Sequence, residues 1–265
     1  MSELHPQMPQ IVRERLLKVE SLLVSQPKPS NDKSPYFKLA DKYGIKVDFR
    51  PFIDVVPVSV KEFRKQKVDI LAHSAVIFTS RKAVTLFFEM CKNMKIEVPA
   101  DMKYFCVSSQ TANYLQKYIV VRKRKIFTGL KTAKDLLEII KKHKGEKYLF
   151  PCSDIRKDDI PNFLTKNDYN FTEVVLYRTV ASDLSDLSDV NYDVIAFFSP
   201  SGIQSLFANF PDFKQNKTRI AAFGPTTAKA VRDAGLVLDI EAPMPNAPSM
   251  TGAIENYIKV SNNIK

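Results

Sequence analysis

A chain of 265 residues with 45% hydrophobic side chains can build one large core or two smaller ones. Its formal net charge of +11 asks for a negatively charged partner (nucleic acid, an anionic membrane surface or a polyanionic small molecule), or serves only to keep the surface soluble. Cys91, Cys106 and Cys152 fit neither a disulfide framework nor a zinc site and suggest a reducing compartment, no stretch reaches the ~18 apolar residues of a membrane span, and residues 1–20 lack the apolar core of a signal peptide, so the expectation is a cytoplasmic protein with no membrane partner.

Met1 to Gln10 reads as loose chain and Ile11 to Val19 as a short helix. Ser21-Leu-Leu-Val-Ser25 is the first buried strand, and Gln26 to Asn31 is the loop at its end. Pro35 to Tyr43 forms a helix with Tyr36 or Phe37 and Ala40 inward; Gly44 closes it, because glycine takes left-handed dihedrals at little cost. Ile45 to Val58 alternates and contains Pro51 and Pro57. Proline removes a ladder donor, so this stretch suits an edge strand or a connection between domains. Val60 to Lys67 is a further short helix.

A strand–turn–helix grammar then occurs four times. The units are Val76 to Phe88 with a Thr79-Ser80 turn, Tyr104 to Leu115 with Ser108-Ser109, Val194 to Leu206 with Ser199-Pro200-Ser201-Gly202, and Arg219 to Gly235 with Gly224-Pro225-Thr226-Thr227. In the first helix Val84, Phe87, Phe88 and Cys91 recur at core spacing, which makes Cys91 a packing residue. In the last, Thr226 or Thr227 is placed to cap the helix, and Ala228, Val231 and Ala234 or Gly235 face the sheet. The first unit resembles the third and the second the fourth. Ile126-Phe-Thr-Gly129 with its helix Ala133 to His143 matches Ile240 to Ile254. Lys147 to Leu164 parallels Ser21 to Ala40, and Phe171 to Ala181 mirrors Ile45 to Val58, so each half holds all its units in permuted order. The reading is two similar α/β domains joined by two antiparallel strands. Residues 21–47 with 182–260 form one domain, 58–170 the other, 48–57 and 171–181 the linkers, and 1–20 an extension.

No glycine-rich nucleotide motif is present, and His5, His73 and His143 stand alone, so no metal cluster and no serine–histidine pair is visible. Arg122 to Lys125 is a four-charge run with no interleaved aromatic residues; it reads as a solvated run or a phosphate contact. What remains is a set of hydroxyl-rich helix N-termini, whose free N–H groups favour an anion, although every α/β fold has several such turns.

Leu149-Phe-Pro-Cys152, Leu176-Tyr-Arg-Thr-Val-Ala181, Phe197-Phe-Ser-Pro-Ser-Gly202 and Ala221-Ala-Phe-Gly-Pro-Thr-Thr-Ala228 resemble, in order and spacing, the motifs of the uroporphyrinogen-III synthase family; Pro35-Tyr36 and Ile77-Phe-Thr-Ser-Arg81 fit as well. The resemblance covers residues 20–260. It implies two flavodoxin-like three-layer domains joined by a two-stranded β-ladder, with the site in the cleft. It also implies a cofactor-free lyase that cyclises hydroxymethylbilane with loss of water and inversion of ring D. By the same resemblance Tyr177 assists departure of the hydroxyl; the alternative is an aromatic residue of the linker strand with a packing role. Thr79, Ser80, Arg81, Ser108, Thr111, Ser199, Ser201, Gly202, Pro225, Thr226 and Thr227 bind carboxylates, no metal takes part, and Arg178 pairs with a carboxylate of substrate or protein. The chain departs from the family at Ser108, where a glycine is common, and in the turn Thr128 to Thr132. We expect a monomer without nucleic-acid partners. The rival readings are a non-catalytic two-lobed sensor of an anionic ligand and a nucleic-acid binder using Arg122 to Lys125.

Overall fold

The structure, a computed structural model, describes residues 14–120, 123–130, 132–187 and 191–262. Met1 to Gln10, the first residues of the expected Ile11–Val19 helix and Arg122 of the basic run lie outside them. The chain forms two compact units, Met1–Asp54 with Val180–Lys265, and Val55–Thr179.

In the first unit, β1 (Ser21–Val24), β2 (Lys46–Phe49), β9 (Val194–Phe197), β10 (Arg219–Phe223) and β11 (Leu238–Ala242) form one sheet in the order β11-β10-β9-β1-β2. All of its pairings are parallel. Successive side chains of a strand point to opposite faces, and a parallel sheet covered on both faces needs apolar residues at every position. Leu22, Val24, Val194 and Ala196 accordingly pack with Leu39, Ile254 and Ile258 on one face. Leu23, Ile195, Phe197, Ile220 and Ala222 pack with Ile203, Leu206, Ala228 and Val231 on the other. The helices Pro35–Tyr43 and Met250–Ser261 thus cover one face, and Pro200–Asn209 and Pro225–Asp233 cover the other.

The second unit has the order β3-β8-β7-β4-β5-β6, from β3 (Ile53–Pro57), β4 (Ala75–Phe78), β5 (Lys103–Cys106), β6 (Ile126–Thr128), β7 (Tyr148–Ser153) and β8 (Phe171–Ala181). The pairings from β4 to β8 are parallel. Beside β3, the Val58 N–H donates to the Leu176 carbonyl and the Ser182 N–H to the Phe52 carbonyl, an antiparallel progression. Val76, Phe78, Tyr104 and Leu149 meet Val84, Phe87 and Cys91 on one face, while Ile77, Phe105, Tyr148 and Phe150 meet Leu136, Ile140, Ile160 and Leu164 on the other.

Several local expectations are corrected. Ile45 to Val58 is two strands, because the chain bends around Pro51: β2 joins the first sheet, and Phe52 is buried edge-on against Phe197 at 5.5 Å. In the helix Pro35–Tyr43 the fully buried residue is Leu39, with Tyr36, Phe37 and Ala40 half-buried, and Gly44 takes φ 61 as expected. The helix from Val60 stops at Lys65, and Lys67 adopts φ 53. Ala234 and Gly235 are exposed, whereas Arg219 is fully buried, with Nη2 donating to the Lys18 carbonyl at 2.8 Å. His143 packs its ring on Phe127 at 4.3 Å.

His73 precedes β4 and is buried; Nδ1 donates to the Asp69 carbonyl at 2.8 Å, and Nε2 has no partner. Burial, aided by the Lys147 cation and opposed by the Asp69 hydrogen bond, holds the imidazole below its ordinary range. The unfolded chain therefore binds the proton more readily. Stability from this site is complete above the unfolded value of about 6.5 and declines below it, by at most about 1.4 kcal/mol per pH unit. Urea unfolding between pH 7.5 and 5.5 should show that slope in the parent and a flatter profile in His73→Gln.

Candidate functional site

Ligands of open α/β sheets sit at the carboxyl ends of the strands where the strand order reverses. In the first unit that place lies between β1 and β9, and in the second between β4 and β7. Ser199 after β9 and Ser80 after β4 occupy the same helix-capping position, with φ/ψ of −154°/154° and −155°/159°. Each hydroxyl accepts the third backbone N–H of its helix, from Gly202 at 3.3 Å and from Ala83 at 3.1 Å. Ser108 does the same for Thr111 N–H at 3.3 Å. The fourth turn differs: the helix begins at Pro225, Gly224 is the cap with φ 88 and ψ 152, and neither Thr226 nor Thr227 caps it. Gly224 needs those dihedrals to turn β10 directly into a helix whose first residue is proline.

Thr79, Arg81, Pro225 and Thr226 are exposed, and Ser80, Ser108, Ser199 and Ser201 are half-buried. Thr111, Gly202 and Thr227 are buried; the Thr111 hydroxyl faces Ser108 Oγ at 3.2 Å, and the Gly202 N–H is taken by Ser199. In the first unit Ser199 and Ser201 follow β9, and Thr226 follows the adjacent β10. Arg178 is engaged by Glu62 at 2.7 Å.

In the second unit Thr79 and Tyr177 line one cavity of about 730 Å³ at the β4/β7 reversal. That volume falls in the ~300–1,000 Å³ range of small-molecule sites. Val107, Phe150, Cys152 and Ile160 give it an apolar lining, Thr132 and Ser153 add hydroxyls, and Lys134, Arg156, Lys157 and Asp159 add charges. Burial raises the Tyr177 phenol above its ordinary value and the Ser80 hydroxyl opposes this by hydrogen bonding, so the phenol is a protonated donor at neutral pH. Burial pushes the Cys152 thiol up to about 11, which leaves it unreactive as a thiolate. Arg156 is held by Glu173, with Nη2 to Oε1 at 2.8 Å, and by Asp158. Sequence reasoning missed Thr132, Lys134 and the Ser153–Lys157 loop. It paired the stretch from Lys147 with Ser21–Ala40 as a repeat, but nothing local to the loop signals that the strand order reverses beside it.

A second cavity, of about 690 Å³, opens at the amino ends of β9 and β10 among Tyr192, Phe210, Lys214 and Thr218, and holds none of the expected site residues. Among the described residues no group of three metal-binding side chains occurs, and no helix is long and apolar enough to cross a membrane.

The profile of the uroporphyrinogen-III synthase HemD family matches residues 34–252. The chain belongs to that family. Its members are cyclising lyases of tetrapyrrole biosynthesis, as the quoted motifs imply. The uroporphyrinogen-III synthase of Chlorobaculum parvum is 24% identical over 259 residues, covering 91% of this chain and 100% of that protein. That of Saccharomyces cerevisiae is 31% identical over 137 residues, 46% of this chain and 50% of the yeast protein. A crystal structure of uroporphyrinogen-III synthetase from Helicobacter pylori aligns with a TM-score of 0.61 at 17% identity, over 91% of this chain and 99% of that one. A mutant uroporphyrinogen III synthase from Thermus thermophilus gives 0.54 at 18%, over 90% and 98%. These two similarities support the mixed α/β fold with parallel sheets.

The capping geometry carries its own expectation. Ser80→Ala and Ser199→Ala should each lower unfolding free energy by about 1 kcal/mol. Gly224→Ala should cost more, about 1–3 kcal/mol, because only glycine rests in that region of φ/ψ. Urea titrations of the three variants rank them.

Proposed function

We propose that the chain cyclises hydroxymethylbilane to uroporphyrinogen III at the cavity of the Val55–Thr179 unit, with Tyr177 as proton donor. The observation that carries this is the convergence of a protonated phenol and the Thr79-Ser80 turn on one partly apolar cavity at a strand-order reversal. The electron-rich terminal pyrrole expels its hydroxyl, and the leaving oxygen needs only one proton to depart as water. A phenol kept protonated at neutral pH supplies it without a strong acid. The resulting azafulvene carbon is attacked by the substituted carbon of ring D, giving a spiro intermediate that reopens and closes with ring D inverted. The protein's main work is to hold two ends of a flexible chain together, which is proximity catalysis.

The acetate and propionate arms meet helix N-termini, each worth about 0.3–1 kcal/mol to an anion. Thr79, Ser80, Arg81 and Ser108 serve this purpose in one unit, and Ser199, Ser201, Pro225 and Thr226 in the other. Thr111, Gly202 and Thr227, being buried, act by shaping their turns. We read the units as two flavodoxin-like lobes, residues 21–47 with 182–260 and residues 58–170, connected through β3 and β8, in a cytoplasmic monomer.

The test supplies hydroxymethylbilane and separates the type I and type III products. Formation of type III supports the reading, and the spontaneous type I isomer alone overturns it. Tyr177→Phe should lower kcat about 100-fold, the lower end of general acid catalysis, with an unchanged melting temperature. An unaltered rate removes the phenol from the mechanism.

A further inference from the structure

The cavity beside Tyr177 carries more cationic side chains than the protein uses. Lys134, Arg156 and Lys157 line it, and Asp159 is the one carboxylate among its lining residues. Arg156 is committed to Glu173 and Asp158, so it shapes the loop. Lys134 and Lys157 are exposed, and neither makes an ion pair among the described residues. They arrive from separate segments, Lys134 from the first turn of the helix Ala133–Ile140 and Lys157 from the loop before the helix Asp159–Lys166. Ile155, an isoleucine 55% exposed, lines the same cavity. An exposed branched aliphatic and two unengaged ammonium groups lining one cavity suit a ligand that alternates flat apolar rings with carboxylate arms.

We propose that Lys134 and Lys157 form a two-point clamp on substrate carboxylates, positioning the linear tetrapyrrole with pyrrole faces against Ile155 and Phe150 and its reacting end at Tyr177. The proposal rests on the reading of this cavity as the reaction site. The clamp orients the substrate and does no proton transfer, so it governs KM while Tyr177 governs kcat. A charge-assisted contact of this kind corresponds to about tenfold in affinity for each lysine.

The experiment measures kcat, KM and product isomer for Lys134→Gln, Lys157→Gln, the double variant and the two Lys→Arg variants, with Tyr177→Phe in parallel. Expected are a KM raised about tenfold in each Gln variant and about a hundredfold in the double, kcat within twofold, an unchanged melting temperature, and recovery of KM in the Lys→Arg variants. The KM of the parent should also rise steeply with salt, and that of the double variant less steeply. A double variant with parental KM, while the parent makes type III product and Tyr177→Phe lowers kcat, overturns the clamp and leaves the site assignment standing. An unchanged kcat in Tyr177→Phe together with an unchanged KM in the double variant overturns both.

Discussion

Two-sided burial of parallel strands is the constraint on which the rest depends. A strand covered by helices on both faces has no flank left for a polar side chain, and β4, β7 and β9 are buried along their whole length. Function is therefore pushed to the strand ends. At the carboxyl ends, most strands turn into a helix whose first N–H groups lack partners within the helix. Ser80, Ser108, Ser199 and Ser249 each answer one of those groups with a hydroxyl. The same geometry that completes the fold lines the strand ends with hydroxyls and amides, so polar groups gather there as a result of solving a packing problem.

The repeat explains why one unit carries the described cavity at its reversal. By the sequence correspondence, β4, β5 and β6 match β9, β10 and β11, and β7 and β8 match β1 and β2. Both sheets place these matched strands in the same spatial order. The permutation changes which connections are long. β2 is a four-residue strand, whereas its counterpart β8 runs for eleven residues. In the longer strand Tyr177, opposite the last residue of β7, lines the cavity.

Much of this was legible because its signals are local. Apolar four-residue runs followed by Ser or Thr specify a buried strand and a capped helix without reference to the rest of the chain. The same locality explains the errors. Thr226 and Thr227 look like caps, but Gly224 and Pro225 between them start the helix earlier. Arg219 looks like a polar strand edge, yet carbonyls of Lys18 and Lys217 receive its guanidinium, and Lys18 is remote in sequence. The cavity is less legible still. Thr132 and Lys134 lie in one stretch and Lys157 in another with no common motif, and only the strand order brings them together.

One irregularity in register accompanies the placement of Tyr177. Along β7 and β8 the register runs evenly to Cys152 opposite Val175, then shifts so that Ser153 faces Tyr177. Without the shift, Leu176, a fully buried core residue, would stand opposite Ser153 in place of the half-buried Tyr177. A bulge re-aims a side chain in this way at the cost of one unpaired residue. The chain then fixes the result. Asp154 N–H donates to the Tyr177 carbonyl at 3.2 Å, and the Asp154 carboxylate accepts from Thr179 N–H at 3.0 Å and Ile155 N–H at 2.9 Å. Burial opposes its ionisation, but these bonds outweigh burial and hold Asp154 below the ordinary carboxylate range. The phenol and the loop carrying Arg156 and Lys157 are therefore tied to one frame. The groups that line this side of the cavity are thus held on one backbone frame, which a flexible loop alone would not give.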